Sequence, residues 1–238
     1  MCVEGEAAPE TVPRHWLYAP LILLSVLFVI DSTDFDRTVS RWFYDSTAHV
    51  FPLRDAFLVE TVLHQWTKYA VILIICMVIA SLLMTWVIPA LSRWRRALAF
   101  LALAMVLAPL AVSLLKLATD RPCPWDFIEF GGFEPYTHLF DFRAADHSPG
   151  RCFPAGEPAA GFALMAFFFV LHLQRRYPLA HGVLLAGMLA GVLLGIARIA
   201  QGAHFLSHVL WSGLVCWLVM VCLYSALFRP GPDVHPPL

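Results

Sequence analysis

Six stretches of the chain carry apolar runs long enough, or nearly so, to cross a bilayer: Trp16–Ile30, Tyr69–Ile88, Ala97–Leu117, Ala159–Leu173, Leu179–Ile199 and Ser207–Phe228. A spanning helix needs about 20 apolar residues, so the first and fourth runs must extend past these bounds. The pattern predicts an all-α fold, a polytopic membrane helical bundle with six transmembrane helices. Polar positions collect between the runs, in the segments Asp31–Lys68, Ala118–Pro158 and Ala200–Leu206. The expected organisation is an N-terminal tail over residues 1–15, one six-span membrane domain over 16–228, and a C-terminal tail over 229–238 that reads as disordered. The first run follows a polar, acidic segment with only Arg14 basic and no clear small-residue cleavage site, so it reads as a retained span rather than a cleaved leader.

Composition supports the membrane reading. Hydrophobic residues make up 60% of the 238 and charged residues only 14%, against roughly 25% charged in a soluble domain. A net charge of −1 without a polybasic tail argues against nucleic acid as a partner. The turns "PALSRWRRA" (Arg93, Arg95, Arg96) and "QRRYP" (Arg175, Arg176) fall on one side with Arg14 and Arg229. The positive-inside rule assigns that side to the cytoplasm, so the three polar segments above face outward. The first of them mixes Trp and Phe with charges, which suits either an interfacial amphipathic helix or an ordinary connector packed on the bundle.

Polar residues near membrane depth are costly and therefore informative. Three clusters stand at the outward ends of spans: "KLATDRPCPWD" with Lys116 and Arg121, "GRCFPAGEPAAGF" with Gly156 and Glu157, and "ARIAQGAHFLSH" with Arg198, His204 and His208. Taken singly, Lys116 and Arg198 are equally explained by snorkelling to the interface. His204 and His208, four apart on one helical face, suit packing, or a two-histidine metal pair lacking a nearby acidic third ligand. Jointly, three cations, two histidines and a glycine-containing helix start on one side suit an oxyanion. Guanidinium groups bind phosphate in bidentate fashion, free amides at a helix start add an anion site, and a neutral imidazole is a competent nucleophile.

The order of these motifs resembles the type 2 phosphatidic acid phosphatase superfamily, whose signatures are K-x6-R-P, P-S-G-H and S-R-x5-H-x3-D. The resemblance covers the six-span pattern and the stretch from Lys116 to Trp211. It implies an integral-membrane lipid phosphate phosphatase with no cofactor and no metal, acting on a phosphorylated membrane lipid at the bilayer. Carried over, Lys116, Arg121 and Arg198 clamp the phosphate, Gly156 offers its amide, and His204 forms a phosphohistidine that water hydrolyses. The implied location is a bacterial inner membrane, with the site facing the periplasm. Candidate substrates are phosphatidate, phosphatidylglycerophosphate, polyprenyl diphosphate and the lipid A phosphate; the acceptor is water or another lipid, and the oligomeric state is left open.

Several positions depart from the pattern. Lys116 stands five positions before Arg121 rather than seven, a difference of roughly 160° around a continuous helix, so it reaches the phosphate only where the helix breaks first. Ala155 and Ala197 replace small hydroxyl residues, and His208 replaces the aspartate expected to orient the nucleophile, a role that Asp120, Asp126 or Asp146 is placed to take from the outer loop. Glu157 stands where the family has a histidine that protonates the leaving alkoxide. A free glutamate has a pKa of about 4.3, and a like-charge pair at ~4 Å with an effective dielectric near 20 costs on the order of 4 kcal/mol. Two outcomes are open: burial turns Glu157 into a working acid, or Glu157 pairs with Arg121 or Arg198 and disables the site. The expectation is an impaired phosphatase, against the alternatives of an inactive lipid-phosphate-binding protein or a lipid phosphotransferase.

Of the six cysteines, Cys76, Cys216 and Cys222 lie within spans and read as small buried hydrophobes. Cys123 and Cys152 share an outer loop, each beside a phosphate motif. In an oxidising periplasm a disulfide between them is expected, the other reading being two free thiols.

Overall fold

A computed structural model describes residues 13–141 and 150–228. The two tails, with Cys2, and the loop stretch containing Asp146 lie outside the described residues. Helix α1 runs His15–Asp31 and α2 Phe35–Arg41. A π-helical run, Leu58–Trp66, continues directly into α3, Thr67–Val87. A 3-10 turn, Pro89–Trp94, leads into α4, Arg95–Ala118. Helices α5 (Gly156–Ala163) and α6 (Ala166–Leu173) follow the long loop, then α7 (Tyr177–Ala200) and α8 (Leu206–Phe228). Among the described residues no strand forms, only the single bridges Asp45–Val50 and Phe127–Glu134.

Among the described residues, five helical stretches are each long and apolar enough to cross a membrane: α3, α4 with its preceding turn, α5 with α6, α7 and α8. Helix α1 becomes the sixth when counted with α2, which bends away from it by 74°. The fourth apolar run begins at Gly156, ahead of Ala159, and is broken between Ala163 and Ala166.

The core sits where α4 meets α8. Phe100, Ala104, Ala108 and Val112 recur every four residues and are fully buried, so one stripe of α4 faces inward. Phe100 packs on Phe169, Tyr224 and Phe228, with ring centroids 5.6, 6.1 and 5.9 Å away. Helix α1 docks through Trp16, whose carbonyl accepts the Trp217 indole N–H at 2.9 Å. Helices α5 and α7 approach more closely than side chains permit: a Cβ on Gly161 would fall 2.5 Å from the Gly191 nitrogen. Small residues are the usual device for such approach within a bilayer.

The segment between α1 and α3 behaves as the packed connector. Arg37 Nε donates to Glu129 at 2.7 Å and Arg41 reaches the same carboxylate, tying α2 to the loop after α4. Asp36, also in α2, is buried and accepts the Ser207 amide at 2.9 Å as well as the Ser207 hydroxyl. It caps the start of α8 from 171 positions away in sequence.

Candidate active site

The site begins where α4 stops. Thr119 closes the helix, Asp120 takes a left-handed φ of 44°, and the chain leaves the helix towards Pro122. This turn supplies the break that the short Lys116–Arg121 spacing requires, and it falls before the prolines. Pro122 reinforces it, because a residue preceding proline avoids helical geometry.

Residues 150–153 then run back along this turn. Asp120 Oδ1 accepts the Gly150 amide at 2.6 Å, the Arg121 carbonyl accepts the Cys152 amide at 2.9 Å, and the Thr119 hydroxyl donates to the Phe153 carbonyl. Cys123 and Cys152 are joined in a disulfide with their Cα atoms 5.1 Å apart. The consequence is a Cys152 carbonyl held in one place, and His204 Nδ1 lies 2.7 Å from it.

That contact sets the imidazole. Nδ1 donates to the carbonyl, so the ring is the tautomer with a lone pair on Nε2. His204 is buried, and burial first, then His208, Lys116 and Arg198, hold its pKa well below the ordinary histidine value. It stands neutral near neutral pH.

Arg198 ends α7 beside it. Its Nη1 donates to Gln201 Oε1 at 2.7 Å, and Gln201 in turn donates from Nε2 to the Arg54 carbonyl at 3.0 Å. Glu157, second residue of α5, brings Oε2 to 3.2 Å from Arg198 Nε, an ion pair rather than an aligned hydrogen bond. Lys116, half-buried on the last turn of α4, feels both Glu157 and Arg198 electrostatically. With Gly156, Lys116 and Glu157 line a cavity of about 260 Å³ that also takes in Ser113 and Lys68. Ala155 is fixed ahead of α5 because its amide donates to the His208 carbonyl at 3.1 Å.

Lys116, Gly156, Glu157, Arg198 and His204 thus meet at one place. Arg121 is turned differently: Nη1 and Nη2 donate to the carbonyls of His138 and Asp141, at 3.1 and 2.7 Å. His208 lies beside His204, ring centroids 5.9 Å apart, with no hydrogen bond between them. It packs edge-on against Phe153 and Phe205 instead. Neither Asp120 nor Asp126 reaches His204: Asp120 holds Gly150 and Asp126 accepts the Cys123 amide at 2.9 Å. The orienting acceptor is a backbone carbonyl. Among the described residues no group of three His, Cys, Asp or Glu side chains is placed to hold a metal.

The sequence motifs and this geometry converge on one family, and the family comparison is decisive: the PAP2 superfamily model matches residues 97–231. The chain belongs to the PAP2 superfamily. That stretch contains every residue of the cluster, so the shared PAP2 region and the assembled site coincide. Among curated proteins the chain is similar to the lipid A 4′-phosphatase of Francisella tularensis subsp. novicida (strain U112), 28% identical over 211 residues, 85% of this chain and 90% of that protein. No solved structure matches the chain.

Proposed function

We propose that the protein is a membrane lipid phosphatase that removes a phosphate from a lipid through a phosphohistidine on His204. The observation that carries this reading is the Nδ1–Cys152 contact, which leaves Nε2 of a neutral, buried imidazole as the reactive atom beside two cations. Membership of the PAP2 superfamily supports hydrolysis of a phosphate ester, and the relative named as a lipid A 4′-phosphatase supports a lipid as its carrier.

In the proposed first step Nε2 attacks phosphorus, the P–O bond to the lipid breaks, and the leaving oxygen takes a proton from the Glu157 carboxyl. In the second, water attacks the same phosphorus, the P–N bond breaks, and Glu157 accepts the proton that water gives up. Lys116, Arg198 and the free amides at the start of α5 neutralise the phosphoryl oxygens. Arg121 reaches them only by leaving the His138 and Asp141 carbonyls.

Glu157 makes this site slow. It pairs with Arg198 and so competes with a phosphate oxygen for that cation. Substrate must displace that carboxylate or bind once it is protonated. Phosphate release from lipid phosphates in detergent micelles tests the reading, comparing the chain with Glu157→His and with Glu157→His plus His204→Ala. Histidine is expected to raise turnover and His204→Ala to abolish it. A folded Glu157→His protein inactive on phosphatidate, lipid A and polyprenyl diphosphate alike overturns the reading.

A further inference from the structure

A second cavity, of about 680 Å³, opens at the loop end of the bundle between the segment before α3 and the loop after α4. Its wall carries His49, Arg54, Asp55 and Trp125, with Phe51 at the base. The volume falls in the range of about 300–1,000 Å³ typical of small-molecule sites. The Arg54 guanidinium lies 4.5 Å above the Trp125 ring centroid, a cation–π contact that fixes a long side chain which would otherwise roam. Asp55 is its neighbour in sequence, so a donor fork and a carboxylate stand side by side at the rim, both exposed.

This cavity is physically joined to the phosphate cluster. The Arg54 carbonyl accepts from Gln201, and Gln201 accepts from Arg198, so two hydrogen bonds link the wall to the phosphate cation. The Trp125 amide donates to the Gly202 carbonyl at 3.1 Å. Gly202 has φ +73°, and a Cβ there would fall 2.3 Å from the Phe51 ring, so the turn carrying Arg198 into His204 is pressed against the cavity base. A headgroup esterified to a phosphate held at Arg198 has this cavity as its neighbour.

The wall chemistry selects the headgroup. One guanidinium, one carboxylate, one imidazole and one indole offer donors and acceptors in balance and little net charge. An acyl chain would bury Arg54 and Asp55 against hydrocarbon, which is costly. A bare glycerol phosphate would fill only a small part of the space, and a further anionic group would meet Asp55. A polyhydroxylated ring, donating and accepting at every carbon while presenting an apolar C–H face, uses all four side chains. We infer that the cavity binds the saccharide of a phosphorylated glycolipid and so selects the substrate of the site proposed above. The inference rests on that reading for its role in turnover, and on the cavity alone for binding. The name of the curated relative, a lipid A phosphatase, points the same way.

The test uses the full chain in detergent micelles and the variants Arg54→Gln and Asp55→Asn, singly and together. Both side chains are exposed, and Arg54→Gln keeps the backbone carbonyl that holds Gln201. The first probe is a dephosphorylated, acylated glucosamine disaccharide, whose binding needs no catalysis. The double variant is expected to bind it at least tenfold more weakly. The second readout is the ratio of kcat/KM for the phosphorylated disaccharide lipid to that for phosphatidate, expected to fall by at least tenfold through KM. Equal binding by parent and variants, or no binding by either, overturns the saccharide site, even where lipid phosphates are hydrolysed. Variant-sensitive binding with no turnover on any phosphorylated lipid upholds the site and overturns the phosphatase reading instead.

Discussion

The Cys152 carbonyl oxygen accepts the His204 Nδ1 proton at 2.7 Å, and the same residue's sulfur is bonded to Cys123. One residue therefore both closes a covalent loop and orients the imidazole. In many histidine sites the orienting partner is a carboxylate, which also steadies the cation formed during reaction. A carbonyl fixes the tautomer equally well but offers less to a positive ring. Burial, not this contact, keeps the His204 ring neutral.

Reducing the disulfide is expected to act twice. Cross-linking a loop of this length is worth about 3–4 kcal/mol in the chain-entropy account, so the unfolding midpoint falls. Loosening Cys152 also lets the His204 ring rotate, so kcat falls, by roughly tenfold, under conditions where the protein remains folded. Activity and thermal unfolding measured with and without reductant, and again in Cys123→Ser, check this. Full activity in a verified reduced sample would contradict the orienting role.

The pH profile follows from His204. Burial and its cationic neighbours hold His204 well below the usual histidine range, so the neutral form persists as pH falls through 6. The acid limb of kcat/KM is expected below the ordinary imidazole value for that reason. The Glu157 carboxylate paired with Arg198 competes with phosphate for that cation. In Glu157→Gln the competing charge is gone: inorganic phosphate should inhibit at least tenfold more tightly at pH 7.5, while turnover drops because no proton donor remains. Inhibition constants and pH–rate profiles of the two proteins decide it.

Much of this was readable in the residues. The spans were, because apolar runs of bilayer length have few other uses; Lys116, Arg198 and His204, which the fold brings together, stand out as polar positions at span ends against that background. Three features left no such mark. The orienting group for His204 is a main-chain carbonyl, which every residue possesses. Gln201 looked like loop, yet it is buried and bridges Arg198 to Arg54. Asp36 sat among several acids in the first connector, and only the folded chain singles it out as the one buried against Ser207. Arg121 shows the opposite case, a motif residue whose donors go to loop carbonyls.

Asp36→Ala should weaken the start of α8. The carboxylate satisfies the Ser207 amide and hydroxyl at once, and losing an N-terminal cap costs about 1–2 kcal/mol. The helix beyond Ser212 is held by the core and should survive, while the first turn, which carries His208 and follows His204, loosens. Hydrogen exchange is expected to speed at residues 206–208 and not at residues 214–224, with a several-fold loss of kcat. Uniform exchange along α8 would show that Asp36 does not act as its cap.

The close packing of α5 on α7 gives a sharp stability test. A Cβ on Gly191 would lie 2.3 Å from the Phe162 ring, and one on Gly161 would lie 2.5 Å from the Gly191 backbone nitrogen. Backbone cannot yield as a side chain can, so α5 and α7 must separate to admit even one methyl group at position 161. Overpacking of this kind typically costs about 1–3 kcal/mol, and here it also carries Glu157 at the head of α5 away from Arg198 at the foot of α7. Gly161→Ala should therefore lower both the unfolding midpoint and the phosphate affinity. Gly156→Ala, at the start of α5 and five residues before Gly161, has nothing within 4 Å of its added Cβ and should leave the midpoint within the error of measurement. Thermal unfolding in detergent compares the pair directly, and equal midpoints for the two variants would mean that the α5–α7 contact is looser than its geometry implies.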